Sequence, residues 1–324
     1  MRVRRSGLVP TAQNGHMSGR FAPSPTGELH LGNLRTAAVA WLSARAEGVP
    51  FLMRIEDLDR GRSRPEHEAG QLADLAAIGL DWDGEVVRQS ERFDRYRAAI
   101  DRLAGAGLVY ECYCTRRQIR EEIEAAPSAP HLPPGAYAGT CRDLPAERAA
   151  ELRASGRAPA LRLRAEGQHV EFTDRLVGPR GGGVDDFVLR RNDGTPAYNV
   201  AVVVDDAAQG VTQVVRGDDL LDSTPRQILL QRLLGYATPE YLHVPLVLNT
   251  AGKRLAKRDG AVTLSQLAGV GASPQAVVGW IASSLELAGA GESPQIADLV
   301  ERFDPDMLPR APITAPQLGG GRWA

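Results

Sequence analysis

Two tracts far apart in the chain carry residues suited to phosphate chemistry. The first is His30-Leu-Gly-Asn33 and the second Lys253-Arg-Leu-Ala-Lys-Arg-Asp-Gly260, a basic run able to close over the same phosphates. Charged residues also follow apolar runs, Glu56 after Phe51-Leu-Met-Arg-Ile55 and Arg216 after Gln213-Val-Val215. Cys112, Cys114 and Cys141 supply three thiolates, and tetrahedral zinc wants a fourth ligand. His131 is the natural candidate by ordinary zinc chemistry. Four side-chain ligands leave no open position, so such a zinc would be structural.

These residues need elements to position them. Arg20, Phe21 and Ala22 read as a strand end, stopped by Pro23 and Pro25, which lack an N–H and restrict the preceding residue. Thr26, Gly27 and Glu28 form a turn. Leu31, Leu34, Ala38, Trp41, Leu42 and Arg45 recur at steps of three and four, which predicts a helix. His30, Gly32 and Asn33 then sit at its N-terminus, where free N–H groups and partial positive charge favour phosphate. Residues 50–56 read as a buried parallel strand. Ligands collect at the carboxyl ends of such strands, so Glu56 is placed to meet a ligand ammonium. On the residues alone, Glu56-Asp57-Leu-Asp59 reads equally as a solvated helix cap.

Helices are expected over 65–79, about 91–103 and 116–124, with a strand over 109–114 delivering the first two cysteines. Pro127, Pro130, Pro133 and Pro134 mark a loop before Tyr137-Ala-Gly-Thr-Cys141. Arg180-Gly-Gly-Gly183 lacks the Gly-Lys-Ser/Thr ending of a phosphate loop and reads as a hinge or turn. Residues 186–190 read as a strand and Asn192-Asp-Gly194 as a hairpin signal, after which 196–205 re-enter the core. Residues 213–216 form another buried strand. Thr224 is a plausible cap, with Pro225 at the first position of the next helix. Helical stretches over 273–285 and 293–302 precede a Pro- and Gly-rich tail.

The 324 residues suit one large domain with an insertion, or two domains, and 43% hydrophobic content allows a sizeable core. A formal charge of −2 does not announce a nucleic-acid binder, so RNA contacts would rest on local patches. Apolar runs fall short of a membrane span. Three cysteines cannot make a disulfide framework and fit a reducing, cytoplasmic setting. The basic leader, residues 1–17, has no apolar core and is expected to be disordered rather than a secretory signal.

The two tracts resemble the signature motifs of class I aminoacyl-tRNA synthetases, His30-Leu-Gly-Asn33 the first and Arg254-Leu-Ala-Lys-Arg258 the second. The flanks Arg20-Phe-Ala-Pro-Ser-Pro-Thr-Gly27 and Arg54-Ile-Glu-Asp-Leu-Asp59 are similar to the glutamyl branch. Within it the chain resembles the short paralogues that modify tRNA(Asp), over residues 18–310. The resemblance implies an α/β fold with a doubly wound, Rossmann-type parallel sheet. Residues 18–111 and 196–260 would form the two halves of the nucleotide-binding domain. Residues 112–195 would be a zinc-bearing insertion, and 261–324 a short helical segment with no anticodon-binding domain.

The resemblance also implies roles. His30 and Lys257 would be catalytic. Gly32, Asn33, Arg254, Leu255, Ala256 and Arg258 would join them around ATP, with Mg²⁺ arriving with the nucleotide. Ala256 stands where the commoner pattern has Ser, which loses one hydroxyl contact. Glutamate would be held by Arg20, Phe21, Ala22, Pro23, Ser24, Glu56, Tyr198 and Arg216. The arginine forks match its side-chain carboxylate and leave an amide poorly satisfied. Tyr137 would be the fourth zinc ligand in place of His131. The implied activity is ATP-dependent activation of L-glutamate without tRNA, then transfer to the queuosine base of tRNA(Asp), by a monomer. Alternatives are a truncated glutamyl-tRNA synthetase charging tRNA(Glu) and a non-catalytic tRNA-binding paralogue.

Overall fold

In the computed structural model, which describes residues 17–125, 136–255, 262–289 and 292–316, β1 (Gly19–Phe21) leads into α1 (Leu31–Ala46). Most of α1 is buried, Leu31, Leu34, Ala38 and Leu42 completely. A helix buried this widely is a core element rather than a surface cover. It is the crossover between β1 and β2 (Phe51–Ile55), which pair in parallel with Gly19 opposite Phe51 and Phe21 opposite Met53. α2 (Pro65–Ala77) follows, and Gly79, at φ 86°, turns the chain after it. A two-residue strand, β3 (Val87–Arg88), which the sequence pattern does not signal, precedes α3 (Phe93–Gly105).

Next come β4 (Val109–Cys112), α4 (Arg116–Ala125), α5 (Ala146–Ala154), β5 (Ala160–Leu163), β6 (His169–Asp174), β7 (Gly178–Gly183) and β8 (Val188–Arg190). The second half of the sheet is built by α6 (Tyr198–Ala208), β9 (Gln213–Gly217), α7 (Thr224–Leu234) and β10 (Glu240–Val244). The remaining elements are β11 (Val247–Leu248), α8 (Leu264–Gly269), α9 (Pro274–Ser284) and β12 (Ile313–Thr314). The central sheet has the order β3-β2-β1-β9-β10-β6-β7, parallel throughout except for the antiparallel edge strand β7. Neighbouring residues on its strands join different cores. Val215 and Leu242 pack with α1 and α9, whereas Val214 and Tyr241 pack with α3, α6 and α7. Side chains alternate across a strand, so helices cover both faces of a doubly wound sheet. Strands β4, β5 and β8 form a separate antiparallel sheet, while β6 and β7, although within 112–195, extend the central one.

The structure corrects the local expectations for Arg180–Gly183, Asn192–Gly194, Thr224 and 293–302, and shows 200–204 entering the core as a helix. Arg180-Gly-Gly-Gly183 is neither hinge nor turn but most of β7, with Glu171 opposite Gly181. A Cβ on Gly181 would lie 2.9 Å from His169 Nε2 and 3.2 Å from Val170 O, so close packing explains glycine there. The Asn192–Gly194 turn closes a single bridge, Arg190 to Pro196, before the chain enters α6. The β-branched run Val200–Val204 is helical because it is buried between α3 and α7, where packing overrides its propensity. Thr224 does not cap α7, whose N-cap is Ser223; its hydroxyl accepts instead from Arg216. Residues 296–302 form a 3₁₀ rather than an α-helix.

Candidate active site

Strand order reverses between β1 and β9, and a cavity of about 630 Å³ opens where the carboxyl ends of β1, β2 and β9 meet. Open α/β sheets bind ligands at such a switch point. Phe21, Ala22, Pro23 and Ser24 line it from the end of β1, and Glu56 from the end of β2. The Glu56 N–H donates to Pro23 O at 2.9 Å, tying the two strand ends together. Gln71 of α2 clasps the loop from below, its amide donating to Ser24 O at 3.0 Å and Gly27 O at 2.6 Å.

His30, Gly32 and Asn33 line the same cavity at the start of α1. They form a reciprocal cap: the Asn33 N–H donates to His30 Nδ1 and the His30 N–H to Asn33 Oδ1, both at 3.2 Å. Because Nδ1 accepts, neutral His30 carries its ring proton on Nε2. The Leu31 N–H is also engaged, by Val262 O at 2.9 Å. Fewer first-turn donors are therefore open to a phosphate than the sequence suggests. A Cβ on Gly32 would lie 3.1 Å from the His30 ring and 3.3 Å from Val247 Cβ, so glycine keeps this approach clear.

The second motif reaches the cavity through Arg254 and Leu255. Arg254 pairs with Asp219 at 2.8 Å and bridges Leu248 of β11, and Thr263 bridges His30, which brackets the tract against the first motif. Ala256, Lys257 and Arg258 lie outside the described residues, as does His131.

Three cations sit on the strands whose ends form the cavity, Arg20 and Arg216 lining it and Arg54 buried behind. Arg20 is buried, its Nε 3.3 Å from Asp206 Oδ1 and its Nη1 donating to Val215 O. Arg54, fully buried, donates to the same Asp206 oxygen at 2.6 Å and to Glu56 Oε1 at 3.3 Å. Burial raises the Asp206 carboxyl, but Arg20 and Arg54 outweigh it and hold the group below the usual carboxylate range. For Glu56 burial wins and pushes the carboxyl up, with Arg54 and Arg20 opposing. Tyr198, the first residue of α6, lines the cavity, and burial followed by the nearby Glu56 charge raises its phenol. Arg216 ends on His243, Gln227 and Thr224.

Cys112, Cys114 and Cys141 come together outside this cavity, their sulfurs all within 4.8 Å of one another. The Tyr137 hydroxyl lies 3.5 Å from Cys112 Sγ and 3.4 Å from Cys114 Sγ. Zinc bonds of about 2.3 Å to sulfur and about 2.0 Å to oxygen put tetrahedral S and O ligands roughly 3.5 Å apart. The Cys₃Tyr set thus fits a metal. Arg162 stacks on the Tyr137 ring, 3.7 Å from its centroid. Burial raises Cys112, yet the Tyr137 hydrogen bond and the Arg162 charge bring it below the ordinary thiol value. Burial pushes Cys114 up to about 12 and raises Tyr137, so these donors hold their protons unless a cation displaces them.

Sequence reasoning missed Asp206, Arg54, Asp174 and His243. The pair Asp205-Asp206 after an apolar run was the available signal, since two acids inside a core helix need cationic partners.

A parallel switch-point cavity lined by a capped histidine motif and by buried arginines defines an α/β enzyme joining an anionic small molecule to a nucleotide. The sequence model described as tRNA synthetases class I (E and Q), catalytic domain, matches residues 16–296. The chain is 62% identical over 295 residues to a Glutamyl-Q tRNA(Asp) synthetase of Nocardia farcinica, covering 91% of this chain and 92% of that protein. A Glutamyl-Q tRNA(Asp) synthetase of Symbiobacterium thermophilum is 48% identical over 311 residues, covering 93% and 96%. A Glutamate–tRNA ligase of Oleidesulfovibrio alaskensis is 43% identical over 295 residues, covering 90% of this chain and 62% of its own. The crystal structure of a glutamate tRNA ligase from Elizabethkingia meningosepticum in complex with its amino acid superimposes with a TM-score of 0.79 at 28% identity, covering 95% of this chain and 68% of that one. The chain belongs to the class I glutamyl and glutaminyl synthetases, and within them to the glutamyl-Q tRNA(Asp) synthetase family.

Proposed function

We propose that the protein activates L-glutamate with ATP, without tRNA, and transfers the glutamyl group to the queuosine base of tRNA(Asp). One observation carries the reading: every described residue proposed to hold ATP or glutamate lines the same cavity. The identity of 62% and 48% to two Glutamyl-Q tRNA(Asp) synthetases whose lengths the chain nearly spans, against 43% to a glutamate–tRNA ligase of which it spans 62%, supports tRNA(Asp) as acceptor.

In the first step a glutamate α-carboxylate oxygen attacks the α-phosphorus of ATP, the bond to the bridging oxygen breaks, and pyrophosphate leaves. Both reactants are anionic, so the protein contributes alignment and charge stabilisation rather than a general base. His30 donates from Nε2 to the phosphates, Gly32 lets the nucleotide lie against the backbone, and Asn33 holds the His30 ring. Arg254 and Leu255 line the cavity from the second motif, and the motif's Ala256, Lys257 and Arg258 would act on the same nucleotide, Lys257 neutralising the departing pyrophosphate, with Mg²⁺ accompanying ATP. Arg20 and Arg216 take the side-chain carboxylate, Ser24 and Glu56 the α-ammonium, and Tyr198 flanks the chain between them. Phe21, Ala22 and Pro23 shape the cavity wall. Transfer to queuosine then releases AMP.

Cys112, Cys114, Tyr137 and Cys141 would hold one structural zinc, cross-linking the β4 end to the segment before α5. Three unpaired thiols support a reducing, cytoplasmic setting. The test is glutamate-dependent exchange of pyrophosphate into ATP without RNA, followed by labelled glutamate with queuosine-containing tRNA(Asp) or with tRNA(Glu). Exchange without RNA and label on tRNA(Asp) alone are expected. Exchange only with tRNA(Glu) would make the protein a glutamyl-tRNA synthetase, and none at all a non-catalytic tRNA-binding paralogue.

A further inference from the structure

Arg20 and Arg54 satisfy their charge on protein carboxylates, both on Asp206 and Arg54 also on Glu56, as buried guanidinium groups ordinarily must. Arg216 is buried to the same degree, 5% exposed, yet it makes no salt bridge among the described residues. All its protein acceptors are neutral. Nε donates to His243 Nε2 at 2.9 Å, Nη1 to Gln227 Oε1 at 2.8 Å, and Nη2 to Thr224 Oγ1 at 2.8 Å and Leu220 O at 3.4 Å.

The His243 contact requires one tautomer. Nε2 accepts only when the ring proton sits on Nδ1, and Asp174 Oδ2, 2.6 Å from Nδ1, holds it there. Asp174 is fixed in turn by the N–H groups of Leu176, Val177 and His243 at 3.0, 2.9 and 3.1 Å. Burial keeps His243 neutral, with Asp174 opposing and Arg216 adding to the effect. Gln227 is oriented too, because its amide donates to Asn199 Oδ1 at 3.1 Å. The nearest carboxylate in this chain of contacts is thus separated from Arg216 by a neutral imidazole.

We infer that Asp174, His243 and Gln227 are positioning residues whose neutral acceptors hold Arg216 in place while leaving its charge for the side-chain carboxylate of the bound amino acid, and that this sets the preference for glutamate over glutamine. The inference rests on the proposed role of Arg216. A guanidinium neutralised by protein, as Arg20 is by Asp206, can hydrogen-bond the substrate carboxylate but gains little charge attraction and discriminates poorly against the amide, so the discrimination falls to Arg216.

The test uses pyrophosphate exchange by the full chain, with KM for glutamate, glutamine and ATP measured separately. Gln227→Glu keeps the side chain's shape and adds a charge beside Arg216. It is expected to raise the glutamate KM about 30-fold or more and cut the glutamate-to-glutamine preference about tenfold, with the ATP KM within about threefold. Gln227→Met, which removes the acceptor without adding charge, is expected to change the preference less than about threefold. His243→Gln preserves the acceptor and donor pair and is expected to retain the wild-type preference, whereas His243→Leu should lose about tenfold in glutamate KM. Equal effects of Gln227→Glu and Gln227→Met would overturn the inference. Should Gln227→Glu fail to fold, the His243 pair decides, and equal loss in both would overturn it. Arg216→Met separates the two claims: wild-type glutamate KM in that variant refutes the pocket reading itself. Loss in Arg216→Met with unchanged Gln227→Glu and His243→Leu refutes only the present inference.

Discussion

Asp206→Asn is the most informative single change outside the motifs. Asp206 is 5% exposed and accepts from Arg54 at 2.6 Å and from Arg20 at 3.3 Å, and Arg54 in turn reaches Glu56 at 3.3 Å. The substitution keeps the shape and one acceptor but leaves two buried guanidinium groups with Glu56 as the remaining carboxylate in contact. Breaking a buried charge pair by removing one partner costs about 3–5 kcal/mol. At about 2–4 °C per kcal/mol for large domains, the melting temperature should fall by roughly 6–20 °C. Glutamate binding should suffer as well, because Arg20 loses the group that fixes it and Arg54, which holds Glu56, loses its shorter partner. We expect the glutamate KM to rise about tenfold while the ATP KM stays within about threefold, since one displaced charge-assisted bond is worth about 1.5–3 kcal/mol. Asp205→Asn is the control. Asp205 accepts from Arg92, Gln89 and Tyr96, none of which lines the cavity, so it should cost stability without moving the glutamate KM. Calorimetry and pyrophosphate exchange read the two effects. A melting temperature within 2 °C of wild type and an unchanged glutamate KM for Asp206→Asn would refute the account of Asp206 as the anchor of this pocket.

Gly32→Ala should raise the ATP KM by about tenfold with little change in melting temperature, because its Cβ would crowd the His30 ring from 3.1 Å; unchanged ATP kinetics would remove His30 positioning from the explanation. Cys114→Ser should lower bound zinc from one per chain to near zero by elemental analysis and should lower thermal stability, and full zinc occupancy in the variant would exclude Cys114 as a ligand. Burial, reinforced by Glu28, raises Asp74 from 3.8 to about 6. The folded state therefore holds a proton there that the unfolded state releases, so the stability associated with Asp74 falls as pH rises from about 4 to 6. Asp74→Asn should accordingly become more stable relative to wild type between pH 4 and pH 7; a pH-independent difference in melting temperature would contradict the assignment.

The β1 strand end, the turn and α1 were legible from local order, because prolines stop a strand and apolar residues at steps of three and four write a helix wherever they occur. Of the residues lining the cavity, His30, Gly32, Asn33 and Glu56 were legible for a related reason, since they sit at a helix N-terminus and a strand end, whereas Arg20, Ser24, Tyr198 and Arg216 came from the family resemblance, because a lone tyrosine or arginine in such a place ordinarily belongs to the core or to a surface ion pair. The three cysteines were readable as ligand chemistry, with Tyr137 added by the resemblance, although their closeness in space was not. What the tertiary structure alone decided lies in contacts across long separations. Arg20 meets Asp206 across 186 residues and His243 meets Asp174 across 69, and a linear pattern does not say which buried charge finds which partner. The same holds for β7, where a glycine run becomes a sheet edge because β6 pairs with it, and for Val200–Val204, helical because α3 and α7 enclose it. Local propensities differ by tenths of a kilocalorie to about 1 kcal/mol per residue, whereas burial of one large apolar side chain contributes about 1.5–3 kcal/mol, so packing settles what propensity leaves open.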